Sequence, residues 1–295
     1  MSSDTTLPNT HPDNCGGCTS CDPNAVTTQR LGVKLDGYDF VVALAGNPNT
    51  GKTTVFNTLT GLKQHTGNWP GKTVARAEGA FACRGKRYKL VDLPGTYSLL
   101  SASVDEEVAR DFVLFGKPDC TVVVTDATAL QRNLNLAYQV MEITPKVVVC
   151  VNLMDEAKRK GITVDIPALQ ELLGVPVVAT AARRNQGIDK LVLAVAGVID
   201  GSIQCEPKLP PTPPKLQKVI DEILPMVKRM VPGLPSPRWV AYRLIEGDHR
   251  IRQALLSGEL AGLYPVRLPV AGVVNQPVAD GVSDLASEQG EVAHV

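Results

Sequence analysis

Net charge is the first thing this sequence lacks. Thirty lysines and arginines balance thirty aspartates and glutamates over 295 residues, so the long-range field that draws a protein onto nucleic acid is missing. That argues against a chain whose main business is gripping DNA or RNA. A secretion signal is missing too, because no basic stretch followed by an apolar one opens the chain. The longest apolar runs, such as Leu191 to Ile199, fall short of the roughly 20 residues that span a bilayer. These absences lead us to expect a soluble fragment. No internal repeat is found. The seven cysteines are an odd number, and Cys83, Cys120 and Cys150 sit in apolar surroundings, where a free thiol behaves as a small hydrophobe. That usage suits a reducing compartment.

What is present is enough apolar material for a core, 44% of all residues. Residues 1 to about 37 are polar without an apolar period and read as a flexible tail. From Tyr38 onward, strand-like runs (DFVVALAG, KRYKLVDL, CTVVVTDA, KVVVCVNL, VPVVAT) alternate with helical patterns, the last from Gly187 to about Ile199. Continuous valine-rich runs imply strands covered on both faces, hence a mostly parallel sheet in an α/β domain over residues 38–202. PKLPPTPP, residues 207–214, holds five prolines and reads as a linker or stiff arm. Beyond it KLQKVIDEILPMVKRM and RWVAYRLIEGDHRIRQALL have helical spacing. The expected division is therefore a linker and small all-helical domain over 203–282, with a frayed end at 283–295.

GNPNTGKT, Gly46 to Thr53, directly follows one strand-like run and opens a helical pattern. Glycines there let backbone N–H groups curl around phosphates at a helix N-terminus; Lys52 neutralises the β and γ phosphates, and the Thr53 hydroxyl can bind Mg²⁺. Candidate nucleotide contacts are Gly46, Asn47, Pro48, Asn49, Thr50, Gly51, Lys52, Thr53 and Thr54. In DLPG, Asp92, Leu93, Pro94 and Gly95 end another strand, with the carboxylate able to hold a Mg²⁺ shell and Gly95 free to turn its N–H to a γ phosphate. In NLMD, Asn152, Leu153, Met154 and Asp155 end a third; an aspartate there can accept from both guanine N1–H and the 2-amino group, which adenine cannot match. Either tetrapeptide alone would be an ordinary loop. Their order, each at the carboxyl end of a strand, points to a guanine nucleotide site.

These stretches, with GNWPGKTV (67–74), VDLPGTYSL (91–99), VNLMDEAKRKG (151–161) and RWVAYRLIEGD (238–248), resemble the translation-factor-related GTPases and, within them, the cytosolic region of FeoB-type ferrous iron transporters. The likeness covers residues 38–250. It implies a P-loop GTPase fold followed by a helical module that relays nucleotide state toward a membrane. It also implies that Thr73 completes Mg²⁺ coordination in the GTP state, within a first switch of about 62–75 that includes Gly71 and Lys72. Asp92 to Ser103 would form the second switch, and the backbone of Ala181 and Ala182, beside Thr180, would read the guanine oxygen. The family's membrane permease region is not in this sequence, so we expect the N-terminal part of a longer protein at the cytoplasmic face of a bacterial inner membrane. A small cytosolic partner and homo-oligomers are further expectations. Lys72 and Ala75 stand where the family has Val and Glu, which should alter loop mobility rather than binding.

The glutamine that orients water in Ras-like enzymes is replaced by Thr96, so slow turnover is expected. In related potassium-activated GTPases an asparagine placed like Asn49 binds K⁺, with carbonyls of the first switch, here Gly67 and Trp69, completing its shell. The expected catalytic set is Asn49, Lys52, Thr73 and Gly95; the plainer reading is that Asn49 only caps its loop. Trp69, between glycines, is expected to be exposed, and His65, His249, Arg183 and Arg184 to be solvated. Two other functions compete: a GTPase of ribosome assembly or RNA modification, which would need an RNA-binding module, and a nickel-delivering metallochaperone, whose nucleotide motifs differ. Cys15, Cys18 and Cys21 are spaced like the start of an iron–sulfur run without its fourth cysteine. With His11 or Asp13 they could form a transient Fe²⁺ or redox site, or remain unligated.

Overall fold

Alternate residues of the first strand face opposite ways. In β1 (Phe40–Gly46), Val41, Ala43 and Ala45 enter one apolar cluster while Val42 and Leu44 enter another, the pattern of a strand covered on both sides. The computed structural model describes residues 31, 33, 37–100 and 103–264; the expected cysteine site at Cys15, Cys18 and Cys21 lies outside them. The chain continues through α1 (Lys52–Thr60), β2 (Gln64–Asn68), β3 (Ala75–Cys83), β4 (Lys86–Asp92), α2 (Val104–Phe115), β5 (Cys120–Asp126) and α3 (Leu130–Ile143). There follow β6 (Val147–Asn152), α4 (Met154–Arg159), α5 (Ile166–Leu173), β7 (Val177–Ala179) and α6 (Ile188–Asp200).

The seven strands form one sheet in the order β2-β3-β4-β1-β5-β6-β7. From β4 to β7 the neighbours run parallel, and β2 and β3 add an antiparallel edge. Helices α1 and α6 cover one face with Val55, Phe56, Leu191 and Val195. The other face carries Phe112 of α2 and Leu136 and Val140 of α3. Cys120 and Cys150 are fully buried strand residues, and burial pushes the Cys150 thiol up to about 12, in keeping with an apolar role.

The edge hairpin departs from the sequence reading twice. Residues 64–68, inside the stretch of about 62–75 expected to be the mobile first switch, form a strand that pairs with 75–83. Trp69, expected to be exposed, is 4% accessible. Its ring meets Phe112 edge-on at 5.3 Å and lies under the Arg76 guanidinium, so burial of a large aromatic outweighs the flexibility of its glycine neighbours.

After residue 203 the chain straps itself to the sheet's end. Glu206 and Lys208 donate their backbone N–H groups to the carbonyls of Gly174 and Leu173 at 2.8 and 2.9 Å, which holds the proline arm along the end of α5. Among the described residues four helices follow: α7 (Pro214–Met230), α8 (Pro237–Ile245), α9 (His249–Leu256) and α10 (Glu259–Leu263). The helical spacing across 238–256 breaks at Gly247, φ 79°, and Asp248 caps α9 by accepting from Ile251 N at 3.1 Å. Ile220, Val227, Trp239, Val240 and Ile251 join the same apolar cluster as Phe112. No described helix is long and apolar enough to cross a membrane.

A buried arginine fastens these helices to α2. Arg110, 1% exposed, donates from Nη1 to Asp248 at 2.8 Å and from Nε and Nη2 to Asp111 at 3.0 and 2.9 Å. Removing one partner of a buried pair leaves the other charge uncompensated, at about 3–5 kcal/mol. Arg110→Ala is therefore expected to lower the unfolding free energy by about that much in urea titrations; a loss under about 1 kcal/mol would mean that water already screens the pair.

Candidate nucleotide site

The carboxyl ends of β1, β4, β5, β6 and β7 open onto one cleft of about 610 Å³, lined by Asn47–Asn49 and Gly51–Thr54 and by Gly95, Asp126, Thr128, Asn152, Leu153, Asp155 and Ala182. This is where parallel α/β sheets present ligand-binding loops. Between β1 and α1 the chain reverses through two left-handed residues, Asn49 (φ 67°) and Gly51 (φ 78°). Thr50 Oγ1 donates to Asn47 O at 2.9 Å, tightening the turn. The loop thus wraps the N-terminus of α1, where unpaired N–H groups favour an anion.

Asn152 holds this loop in place. Its buried carboxamide donates to Thr50 O at 3.0 Å and accepts from Thr180 Oγ1 and Ala182 N, both at 3.1 Å. Gly51 is required by the contact: a Cβ there would lie 2.5 Å from Asn152 Nδ2. Leu153 then takes φ 62°, and Met154 N donates to Thr180 O at 3.2 Å, which brings Asp155 to the cleft wall.

Lys52 Nζ donates to the Asp92 carboxylate and, at 2.7 Å, to Leu93 O. Burial raises the Asp92 pKa, and the Lys52 ammonium opposes that rise only in part. Asp92 and the Thr53 hydroxyl are hard oxygen donors of the kind Mg²⁺ prefers, so the donor set fits that ion. Asn49 is exposed in the cleft. The Asn47 carboxamide is buried with neither polar atom hydrogen-bonded.

The sequence-predicted residues of the phosphate loop, Asp92–Gly95, Asn152–Asp155 and Thr180–Ala182 all end or follow strands at this end of the sheet, although Gly46, Thr50, Asp92, Leu93, Pro94, Met154, Thr180 and Ala181 do not themselves line the cleft. Those of the first switch do not line it. Gly67 lies in β2 opposite Arg76, and Trp69 O accepts from Lys72 N at 3.0 Å. Gly71, Lys72 and Thr73 are exposed in the turn before β3, with Lys72 Nζ 2.9 Å from Glu107 of α2. Asp126, Thr128, Arg159, Lys160 and Arg183 line the cleft but were not singled out as lining it from sequence; for Asp126 the signal was available, a carboxylate ending a valine-rich run. His65 and His249 are exposed as expected. Arg184 is also exposed, yet its Nε sits 3.2 Å from Asp155 Oδ2, so it is not simply solvated.

Residues 40–195 match FeoB_N, the family described as ferrous iron transport protein B. The chain belongs to this family. The Fe(2+) transporter FeoB of Salmonella typhimurium is 38% identical over 225 residues, 75% of this chain and 28% of that relative. The chain thus spans little more than a quarter of the length of this FeoB relative. Among solved structures, the cytosolic domain of L. pneumophila FeoB is 35% identical with a TM-score of 0.66, covering 77% of this chain and 90% of that one. The T. maritima FeoB cytosolic domain in a GDP form is 34% identical with a TM-score of 0.67, covering 74% and 85%. The FeoB cytosolic fold, a P-loop GTPase sheet with a helical portion, is therefore the fold of this chain.

Asn152→Ala would leave Thr50 O, Ala182 N and the Thr180 hydroxyl without that partner, and each buried polar group left dry costs about 1–3 kcal/mol. The expected loss of unfolding free energy is about 3 kcal/mol or more, read from denaturant curves. A loss within about 0.5 kcal/mol would mean that the loops hold each other without it.

Proposed function

We propose that this chain binds and hydrolyses GTP as the regulatory domain of a bacterial Fe²⁺ uptake transporter. The observation that carries the reading is the phosphate loop of Gly46–Thr53, closed by Asn152 and backed by Lys52 and Asp92 in a FeoB-family fold. The α and β phosphates would lie against the loop's N–H groups, with Lys52 turned from Asp92 to the β and γ phosphates. Asp155 would accept from guanine N1–H and the 2-amino group, and the backbone of Ala181 and Ala182 would meet the guanine oxygen. Thr53 and Asp92 would hold Mg²⁺, joined by Thr73 in the GTP state; the bound ion spreads the charge of the β and γ oxygens. Thr73 stands in an exposed turn of the edge hairpin, so this role requires the first switch to move.

Slow intrinsic hydrolysis fits the residue in the water-orienting position. Thr96 is buried, and its short side chain is turned to its own loop, the hydroxyl donating to Ser98 O at 2.7 Å and accepting from Ser98 N at 3.3 Å. Asn49, with the carbonyls of Gly67 and Trp69, would hold a K⁺ that supplies positive charge between the phosphates in place of an arginine finger; as for Thr73, this would require the first switch to move, because Gly67 and Trp69 do not line the cleft. The helices after residue 203, fastened to α2 through Arg110 and Asp248, would carry the nucleotide state toward the permease region, at the cytoplasmic face of the inner membrane. A small cytosolic partner and self-association belong to the same reading.

GTP hydrolysis measured in K⁺ and in Na⁺ tests nucleotide and mechanism together. Faster turnover in K⁺ is expected, with Asn49→Asp and Asn49→Ala losing most of that stimulation while still binding nucleotide; equal rates in the two salts would sink the potassium role. Deleting residues 1–30 is expected to leave hydrolysis unchanged. If iron binding is also unchanged, Cys15, Cys18 and Cys21 are only a tail.

A further inference from the structure

The charged groups around the base end of the cleft are unequally committed. Glu156 faces Arg159 at 3.6 Å, and Lys160 Nζ donates to Thr128 Oγ1 at 3.4 Å. Asp155 lies 3.2 Å from Arg184 Nε. Asp155 is on the cleft wall and its side chain is 17% exposed; Arg184 is 59% exposed and does not line the cleft. The guanidinium therefore reaches the carboxylate from the outer, solvent side and leaves its cleft side open.

Arg184 is also well anchored for a surface residue. It ends a 3₁₀ turn, Ala182–Arg184, closed by Arg184 N to Ala181 O at 2.8 Å and by Asn185 N to Ala182 O at 3.0 Å, with Asn185 at φ 54°. Ala181 and Gln186 pair across the base of that loop. Ala182 N is held by Asn152, and Met154 N by Thr180 O. Both ends of the Arg184–Asp155 contact thus hang on backbone held by hydrogen bonds between the ends of β6 and β7.

We infer that Arg184 is a positioning residue for base recognition, bracing the Asp155 carboxylate from outside the cleft so that both oxygens meet guanine in plane. This rests on the proposed role of Asp155 toward guanine. A carboxylate oxygen offers more than one lone pair, so a donor on the outer side of Oδ2 leaves the cleft-facing lone pairs available to N1–H and the 2-amino group. Without the brace, rotation about the carboxylate's terminal bond is broad and roughly two-fold, and a two-pronged contact loses more from misalignment than a single one. Inosine nucleotides, which lack the 2-amino group, make the single-pronged comparison.

Calorimetric titration of the whole chain with GDP, IDP and ADP tests this. The wild type should prefer GDP to IDP and to ADP, and Asp155→Asn should abolish that preference; if the wild type has no such preference, the role of Asp155 fails and the brace with it. Given the preference, Arg184→Ala should weaken GDP about threefold to fivefold, the range an exposed ion pair supplies. IDP should change by less than about twofold, so the GDP-to-IDP ratio falls. Arg184→Lys should restore most of the ratio, and the wild-type advantage should shrink as NaCl is raised, because an exposed pair is screened. Thermal unfolding of Arg184→Ala should match the wild type. An unchanged ratio would overturn the inference, and so would tighter GDP binding, which would make Arg184 a competitor of the base.

Discussion

A single buried carboxamide, that of Asn152, ties the cleft together. It bonds the carbonyl of Thr50 in the loop after β1 and both the Thr180 hydroxyl and the Ala182 N–H after β7, while standing itself at the end of β6. Three stretches far apart in sequence are thereby fixed at neighbouring strand ends. Such a network is stable only when every member is satisfied, which constrains its surroundings. Gly51 can carry no side chain because the carboxamide fills the space where a Cβ would go, and Gly187, φ 78°, cannot because its Cβ would lie 2.2 Å from Ala179 O. The glycine of a phosphate loop is usually explained by the ligand; here Asn152 alone is sufficient reason.

The opposite face of the sheet is organised by charge as well as by burial. Arg110 is fully enclosed and divides its donors between Asp111 on its own helix and Asp248 at the cap of α9. Asp248 thus serves two ends at once, the start of a helix and a contact to α2. Three residues earlier on α2, Glu107 meets Lys72 of the edge hairpin with both partners about two-fifths exposed. That outer pair is weak by nature and the inner one is not, so charge fastens α2 to the helices after residue 203, while its hold on the hairpin rests on the burial of Trp69 against Phe112.

The parts of the fold that could be read from the sequence are those where local pattern and tertiary environment agree. Valine-rich runs became central strands because both faces of the sheet are covered, and each motif stood at a strand end because loops there are what the parallel sheet presents. QHTGN has no apolar period, and it is a strand only because β3 offers it an edge. In β3 the buried Glu78 breaks the apolar alternation; Arg76 and Lys89, at 2.9 and 2.6 Å, make its burial tolerable. Trp69 was misjudged from its glycine neighbours because Phe112, the partner that buries it, is more than forty residues away. Arg184 reads as merely solvated for the same reason, since nothing in RRN announces a carboxylate just beyond the end of a different strand.

Charge balance at the phosphate end links the lysine to the metal under the proposed reading. Lys52 and Asp92 neutralise each other, and Leu93 O takes a further donor of the ammonium. Burial already raises the Asp92 pKa in the presence of this partner, so its ionised form is held against a desolvation penalty. A phosphate that draws Lys52 away removes the one opposing influence and leaves a desolvated carboxylate facing an anion. Two negative groups brought that close, one of them a buried carboxylate, repel strongly unless a cation joins them. The Thr53 hydroxyl, one residue from Lys52, supplies the neighbouring oxygen for such a cation. Under that reading, the burial that makes Lys52 and Asp92 a pair would make a divalent ion a condition for separating them.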